Sequence, residues 1–537
     1  MSIQEEEGRG PLPAPQKKII TKLLERRQIE ADLRGLLAAT SEQALRRQAR
    51  EIAALGRQVI PVVVGNLDRA DARMLAALGI VSALLDRKEM TAALRQVILQ
   101  PQYTDQGRIG AMTILERFLG QPRDDDLLAA LSDPQGVAIS SLEEVLAQAE
   151  HNPAILIEYV QGLDQQEPDV VLAVAKALRD RGRMPVHRPE RAIEPLRMMA
   201  QDVREEISGE ALRALGAIRL PGAARALQTL IPTSAPGLRP AAGRLLRKLQ
   251  FSGVEVTPLA PPPLAWRTLV GTVDGRGQRH VWFIERDEQR AQARFLSILM
   301  SDQVGAVESV GHTQVPLLML PPQRPLGAVH DVALPDGSGA VLMLEASFDL
   351  GRRLLLEALE RNRETQIPVA GPLRLLSPWL WSYSGADSLP PRILPEEPWL
   401  PTESGAMADS LLEHPAFAAW LAGRTLPQSL IHRAAQEAFL HPNWDLEVWV
   451  GRLGSELFAE PAVAEMFSKR LEAMSEWLLL AGDHAAARLA LAAGQSLVEG
   501  KPQEQPLLLA LIRRDLELAL LSLEQEPEPG LNARKLT

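Results

Sequence analysis

Leu55-Gly56-Arg57-Gln58-Val59-Ile60-Pro61 and Leu215-Gly216-Ala217-Ile218-Arg219-Leu220-Pro221 repeat one pattern of punctuation. In each, an Ala/Leu/Arg-rich stretch stops at glycine and a second stretch starts on proline five residues later. Glycine is permissive where a helix ends, and proline suits the first helical turn, where its missing N–H had no partner anyway. Working outward, apolar residues recur at helical spacing from about Gln16 to Gln250. Ile19, Leu23 and Leu24 open the stripe. Leu45, Ile52 and Leu55 continue it, then Met74, Leu75, Leu78 and Val81, then Ile109, Met112, Leu115 and Leu119. A less regular stretch holds Asp124, Asp125 and Asp126, after which Ile155-Leu156-Ile157, Val170, Val174 and Leu178 resume the spacing. Helical pairs at 203–230 and 236–250 close the array.

Short alternating helices joined by short turns resemble HEAT-type repeats over slightly less than half of the chain. The resemblance implies a right-handed solenoid with a concave partner-binding face. Its residues carry no sign of the chemistry some HEAT-type enzymes use. None of the nine histidines is followed by Glu, so the ligand pairs of the deoxyhypusine hydroxylases are missing. No Trp precedes Trp266, so the array lacks the aromatic that the HEAT-like alkylpurine DNA glycosylases place beside a catalytic carboxylate.

Composition sets the bounds. The 537 residues exceed what one compact core usually organises, and the 46% hydrophobic and 23% charged content is ordinary for a soluble protein. Cysteine is absent, which removes disulfides, thiolate metal sites and cysteine nucleophiles together. A net charge of −10 argues against a general polyanion binder. The start, MSIQEEEGRGPLPAP, is acidic and Pro-rich, and no run of about 18 apolar residues occurs, so the expectation is a cytoplasmic protein that does not enter a membrane.

Residues 253–263 contain Pro258 and the run Pro261-Pro262-Pro263, and read as an extended linker after the array of 16–252. The period then changes. Trp266, Thr268, Val270 and Thr272 alternate with their neighbours, Asp274-Gly275-Arg276-Gly277 reads as a turn, and His280–Ile284 returns as the second strand of a hairpin. A third strand is expected at Phe295–Met300, with a turn at Ser301-Asp302. A small β-rich module of 264–348 is followed by a helical domain of 349–523 containing a Pro/Trp-rich segment at 377–400. Within that domain, residues 468–497 form a helical hairpin turning at Gly482-Asp483, similar to a tetratricopeptide unit, with Ala486, Ala490 and Ala493 allowing close approach. Residues 1–15 and 524–537 read as disordered tails. The fold class is thus mainly α: a HEAT-like α-solenoid, a small β-containing α+β insert and a C-terminal helical domain. The whole layout resembles a group of large, uncharacterised bacterial HEAT-repeat proteins, which brings no activity with it.

The search for chemistry is mostly negative. No two histidines have the i, i+3 or i, i+4 spacing of a helical metal site. Gly500-Lys501 is followed by Pro502, so it is no phosphate loop, and Gly337-Ser338-Gly339 is a flexible turn rather than a nucleophile elbow. One constellation remains: Asp274, His280, Trp282, Asp302, Glu308 and His312 fall within forty-odd residues. Acid, imidazole and indole together could hold a small ligand or do acid–base work; the plainer reading makes Trp282 core and the acids turn residues. A second constellation is basic: Arg26-Arg27, Arg46-Arg47, Arg179, Arg181, Arg183, Arg244, Arg247 and Lys248 recur near helix ends, where cations complement the helix dipole. The expectation is a non-enzymatic protein–protein scaffold without cofactor or metal. A ligand or enzymatic site at 264–315 is the first alternative, and nucleic acid bound along an Arg-bearing concave face is the second.

Overall fold

The computed structural model describes residues 26–38, 42–121, 134–184, 188–263, 265–333, 340–396, 410–421, 426–441, 444–499 and 505–525. The start of the first stripe (Ile19, Leu23, Leu24), the Asp124–Asp126 stretch, the Gly337–Gly339 turn, the tail of 1–15 and nearly all of the tail of 524–537 lie outside these residues. No helix among the described residues is long and apolar enough to cross a membrane. The chain forms two compact units, Met1–Glu144 and Val145–Thr537.

The first unit is helical: α1 (Glu42–Ala53), α2 (Ile60–Asn66), α3 (Ala72–Leu84), α4 (Arg87–Leu99) and α5 (Asp105–Thr113). Asp71, Asp86 and Thr104 cap α3, α4 and α5 by accepting from backbone N–H groups in the first turn. Val59, Val62, Val63, Leu78, Val81, Met90, Leu94 and Ile98 make its core. Gly56 has φ +66, so the glycine that stops α1 is left-handed, and Pro61 opens α2.

The second unit begins with α6 (Ile155–Asp164), α7 (Pro168–Gly182), α8 (Ile193–Met199), α9 (Glu205–Leu215), α10 (Pro221–Leu230) and α11 (Arg239–Phe251). Helices α8 to α11 each pack on the next and, in most cases, the next but one. The second glycine of the opening motif works differently from the first. Gly216 is right-handed, with φ −65, and is required because a Cβ would lie 2.6 Å from Leu245 Cδ2 on α11. The same two letters therefore answer to a turn at position 56 and to close helix packing at position 216.

Six strands follow: β1 (Trp266–Gly271), β2 (Gln278–Asp287), β3 (Gln292–Ser301), β4 (Gly305–Pro316), β5 (Val329–Ala333) and β6 (Ala340–Ala346). They form one antiparallel sheet in the order β4-β3-β2-β1-β6-β5. The hairpin expected at 266–284 and the third strand at 295–300 are both present, each longer than its apolar run. Next come α12 (Phe348–Thr365), α13 (Gly371–Leu376), α14 (Gln428–Leu440), α15 (Leu446–Leu457), α16 (Pro461–Leu480), α17 (His484–Glu499) and α18 (Pro506–Gln525). Helices α16 and α17 are the hairpin expected at 468–497, and Ala486, Ala490 and Ala493 are buried in its seam.

The boundary expected at 253–263 does not separate the compact units, which part after Glu144. The Pro-rich stretch is extended, as its prolines dictate, but it is laid along its own unit: Ser384 N donates to Ala260 O at 2.8 Å and Gln228 Nε2 to Thr257 O at 3.0 Å. Helices on either side of it are tied together. Arg374 on α13 donates both terminal nitrogens to Asp164 on α6, at 2.9 and 3.1 Å. Arg197 on α8 donates to Arg374 O and Ser377 Oγ at 2.8 Å, and to Leu375 O at 2.7 Å. Proline fixes the path of a connector, not the absence of contacts beyond it.

Candidate functional site: the open face of the sheet

Alternation and register sort the strand residues onto two faces. Val281, Phe283, Leu296 and Ile298 point toward α12 and α13 and belong to the main core of the unit. Their neighbours His280, Trp282, Ile284, Phe295, Ser297 and Leu299 point the other way. Across the sheet, Leu269 faces Trp282, Leu299 stands between His280 and Glu308, and Phe295 pairs with His312. His280, Trp282, Glu308 and His312 thus share one face, while Asp274 and Asp302 sit in turns at its end. Glu308, Val310 and His312 are exposed on that face, and His280 and Trp282 are half-buried.

The two aspartates have structural work. Asp274 Oδ1 accepts from Arg276 N at 2.9 Å and Gln278 N at 2.7 Å, closing the β1–β2 turn, although burial holds its pKa above the usual carboxylate value. Asp302 is gripped by Arg470 of α16, with Nε to Oδ2 at 2.6 Å and Nη2 to Oδ1 at 3.1 Å. Arg470 Nη1 also donates to Gly275 O at 2.6 Å, so one guanidinium ties both turns to α16. His280 is pushed below its ordinary pKa by burial, against the pull of Asp274 and Glu308. Glu308 and His312 therefore remain the exposed titratable groups of the constellation.

Trp282 meets Phe295 edge-on, with ring centroids 5.1 Å apart, and packs in a small apolar cluster with Leu269, Ala293 and Met343. Beside it opens a cleft of about 670 Å³, lined by the whole of β5, by Arg324 and by the segment 318–322. Leu318 and Met319 stand on its lip, 89% and 71% exposed. That segment is held down from beneath. Arg267 of β1 donates to Pro321 O at 2.7 Å and Pro322 O at 3.4 Å while gripping Glu345 of β6 with two hydrogen bonds of 2.8 and 2.6 Å. His330 of β5 places Nε2 2.9 Å from Glu345 Oε2. Arg267, Glu345 and His330 are all buried.

Sequence reading missed this triad, although a signal was available. Arg267 and Glu345 each interrupt an apolar run (Trp266–Gly271 and Val341–Ala346), and charges in central strands demand partners. Of the expected site residues, only Trp282 lines the cleft. Among the described residues no set of three or more histidine and acidic side chains is placed to hold a metal ion. The geometry is that of a half-covered sheet with an apolar lip and a fixed polar floor, a form suited to seating a partner. Compared with protein-family models, curated proteins and solved structures, the chain matches none of them.

Proposed function

We propose that this chain is a non-enzymatic interaction scaffold whose docking element is the open face of the six-stranded sheet. The observation that carries the reading is the asymmetry of that sheet. One face is packed under α12 and α13, whereas the other leaves Val310 of the edge strand β4 54% exposed and, on the lip of the cleft beside Trp282, Met319 71% and Leu318 89% exposed. Exposed apolar side chains grouped with an aromatic, over a rigid base, are the ordinary makings of a protein-binding patch. The triad of Arg267, Glu345 and His330 fits this role as a foundation, because it fixes the segment that forms the lip. We take α8 to α11, within the expected array of 16–252, as HEAT-like repeats, on the strength of their stacking on next and next-but-one neighbours.

The test is affinity capture of the tagged chain in its host of origin, comparing wild type with Val310→Asp and Met319→Asp. Both positions are exposed, so the fold should tolerate them. Polypeptides retained by wild type and lost from both variants support the reading. A capture profile indifferent to the two substitutions refutes it, and a small molecule co-purifying in the cleft moves the chain to the ligand-binding class.

A further inference from the structure

We propose that a second cavity, where the end of β6, the start of α12, the end of α16 and the segment 390–393 meet, binds a small apolar molecule through one hydrogen-bond-donating head group received by Glu476. The cavity measures about 230 Å³ and shares no lining residue with the cleft beside Trp282. Leu344, Ala346 and Leu350 give it a buried aliphatic base, and the exposed Ile393 marks its mouth. An aliphatic cavity of about 150 Å³ stays dry and takes up benzene, so this one has room for a ring with a short polar arm.

Two carboxylates interrupt the apolar wall, Glu345 and Glu476, which are 2% and 4% exposed. Glu345 is saturated by Arg267 on both oxygens. Glu476 is not. Its Oε1 accepts from Arg353 Nη2 at 2.7 Å and from Ile393 N at 3.0 Å, whereas Oε2 accepts from no described residue and is not sealed from solvent. The opening beside it is the cavity whose wall Glu476 forms. Other buried carboxylates of this unit differ: Asp202 and Glu210 have donors on both oxygens, and the bare oxygen of Asp515 is closed off from solvent. Charge around Glu476 is balanced, with Arg279, Arg353 and Arg392 set against Glu357, Glu472 and Glu476. What the site lacks is therefore a donor. A carboxylate paired with a guanidinium only accepts, so the occupant must bring an N–H or O–H to Oε2 and lay its apolar body on the aliphatic base.

The experiment is a titration of the full chain with benzyl alcohol, benzylamine, toluene and benzoate, followed by saturation-transfer NMR. At least one of the two donors should bind saturably and about 10-fold or more tighter than toluene, because its hydrogen bond goes to a charged acceptor. Benzoate, which has only acceptors, should bind more weakly than toluene. The better donor shows whether the head group is neutral or cationic. In Glu476→Gln the amide oxygen is held by Arg353 and Ile393 N, so the amide nitrogen falls at the open position. That variant should lose the advantage of the donors and leave toluene binding unchanged. If it fails to fold, Ile393→Trp at the mouth replaces it and should weaken binding of both donors and toluene. No saturable binding of either donor, toluene or benzoate binding as tightly as the donors, or donor binding indifferent to the substitution made overturns the proposal.

Discussion

Replacing Asp164 by Ala should unfold the second unit far more readily than deleting the whole ion pair it belongs to. Arg374 is completely buried and Asp164 is 6% exposed, and the two share hydrogen bonds of 2.9 and 3.1 Å. Arg374 Nε is separately satisfied by Val369 O at 2.9 Å. Removing the carboxylate leaves a full positive charge and both terminal nitrogens without an acceptor in a dry site, a loss of about 3–5 kcal/mol. The pair itself is worth much less. Burial raises the Asp164 pKa although Arg374 and Arg204 pull it down, so desolvation outweighs the attraction. Asp164→Leu combined with Arg374→Met should therefore cost only about 1–2 kcal/mol, most of it for lost shape. All nine tryptophans lie at or beyond Trp266, in the second unit, so urea denaturation followed by tryptophan fluorescence reports that unit alone. A single variant no worse than the double one, or a single loss under about 1 kcal/mol, would refute the reasoning.

Three further outcomes follow from particular residues. Asp515 is 3% exposed, accepts one hydrogen bond from Leu426 N and is pushed up to about 6 by burial. Its folded pKa lies above the unfolded value of about 3.9, so its burial penalises folding at neutral pH. The second unit should gain on the order of 2 kcal/mol as pH falls from 7.5 through 6 toward 4, and Asp515→Asn should be more stable at pH 7.5 and lack that component. Parallel stability–pH curves for the two proteins would contradict this. Gly216→Val should cost about 1–3 kcal/mol through collision with Leu245, and Leu245→Ala should rescue part of that loss, whereas Gly56→Ala should cost about 1–2 kcal/mol through its left-handed backbone with no neighbour able to rescue it. Melting temperatures of the four variants decide both. Proteolytic cleavage within 253–263 should leave its two products co-eluting on size exclusion, held by Asp164–Arg374 and by Arg197 on the 374–377 backbone; a free, stable helical fragment ending near 250 would show that these contacts do not bind the pieces.

What the sequence made legible was whatever depends on neighbours in the chain. The left-handed Gly56, the Asp274–Gly277 turn and the α16–α17 hairpin are short-range matters of φ, ψ and period, and each is found where the residues place it, whereas Gly216 is right-handed and answers to Leu245 of α11. Illegible were the contacts between distant segments, because the residues making them look alike in sequence. Arg267, Arg374 and Arg470 are indistinguishable by type from Arg244 and Arg247 on the exposed side of α11, yet the first three are buried and bidentate on a carboxylate. The same blindness hid Arg267, Glu345 and His330 beneath the cleft, while Asp274 and Asp302 invited a chemical reading that their turn and clamp roles do not support.

Only nine of the 58 basic residues are lysine, a skew that base composition alone could account for in the sequence. The buried residues give it a use. Seven arginines, and no lysine, are among the buried polar residues described. A planar fork of five donors can hold a carboxylate and a backbone carbonyl together, as Arg267 and Arg470 do, whereas a lysine ammonium is more strongly hydrated and lacks the bidentate geometry. In this chain arginine is the means by which segments more than a hundred residues apart are joined, Arg197 to Leu375 and Arg470 to Asp302 among them.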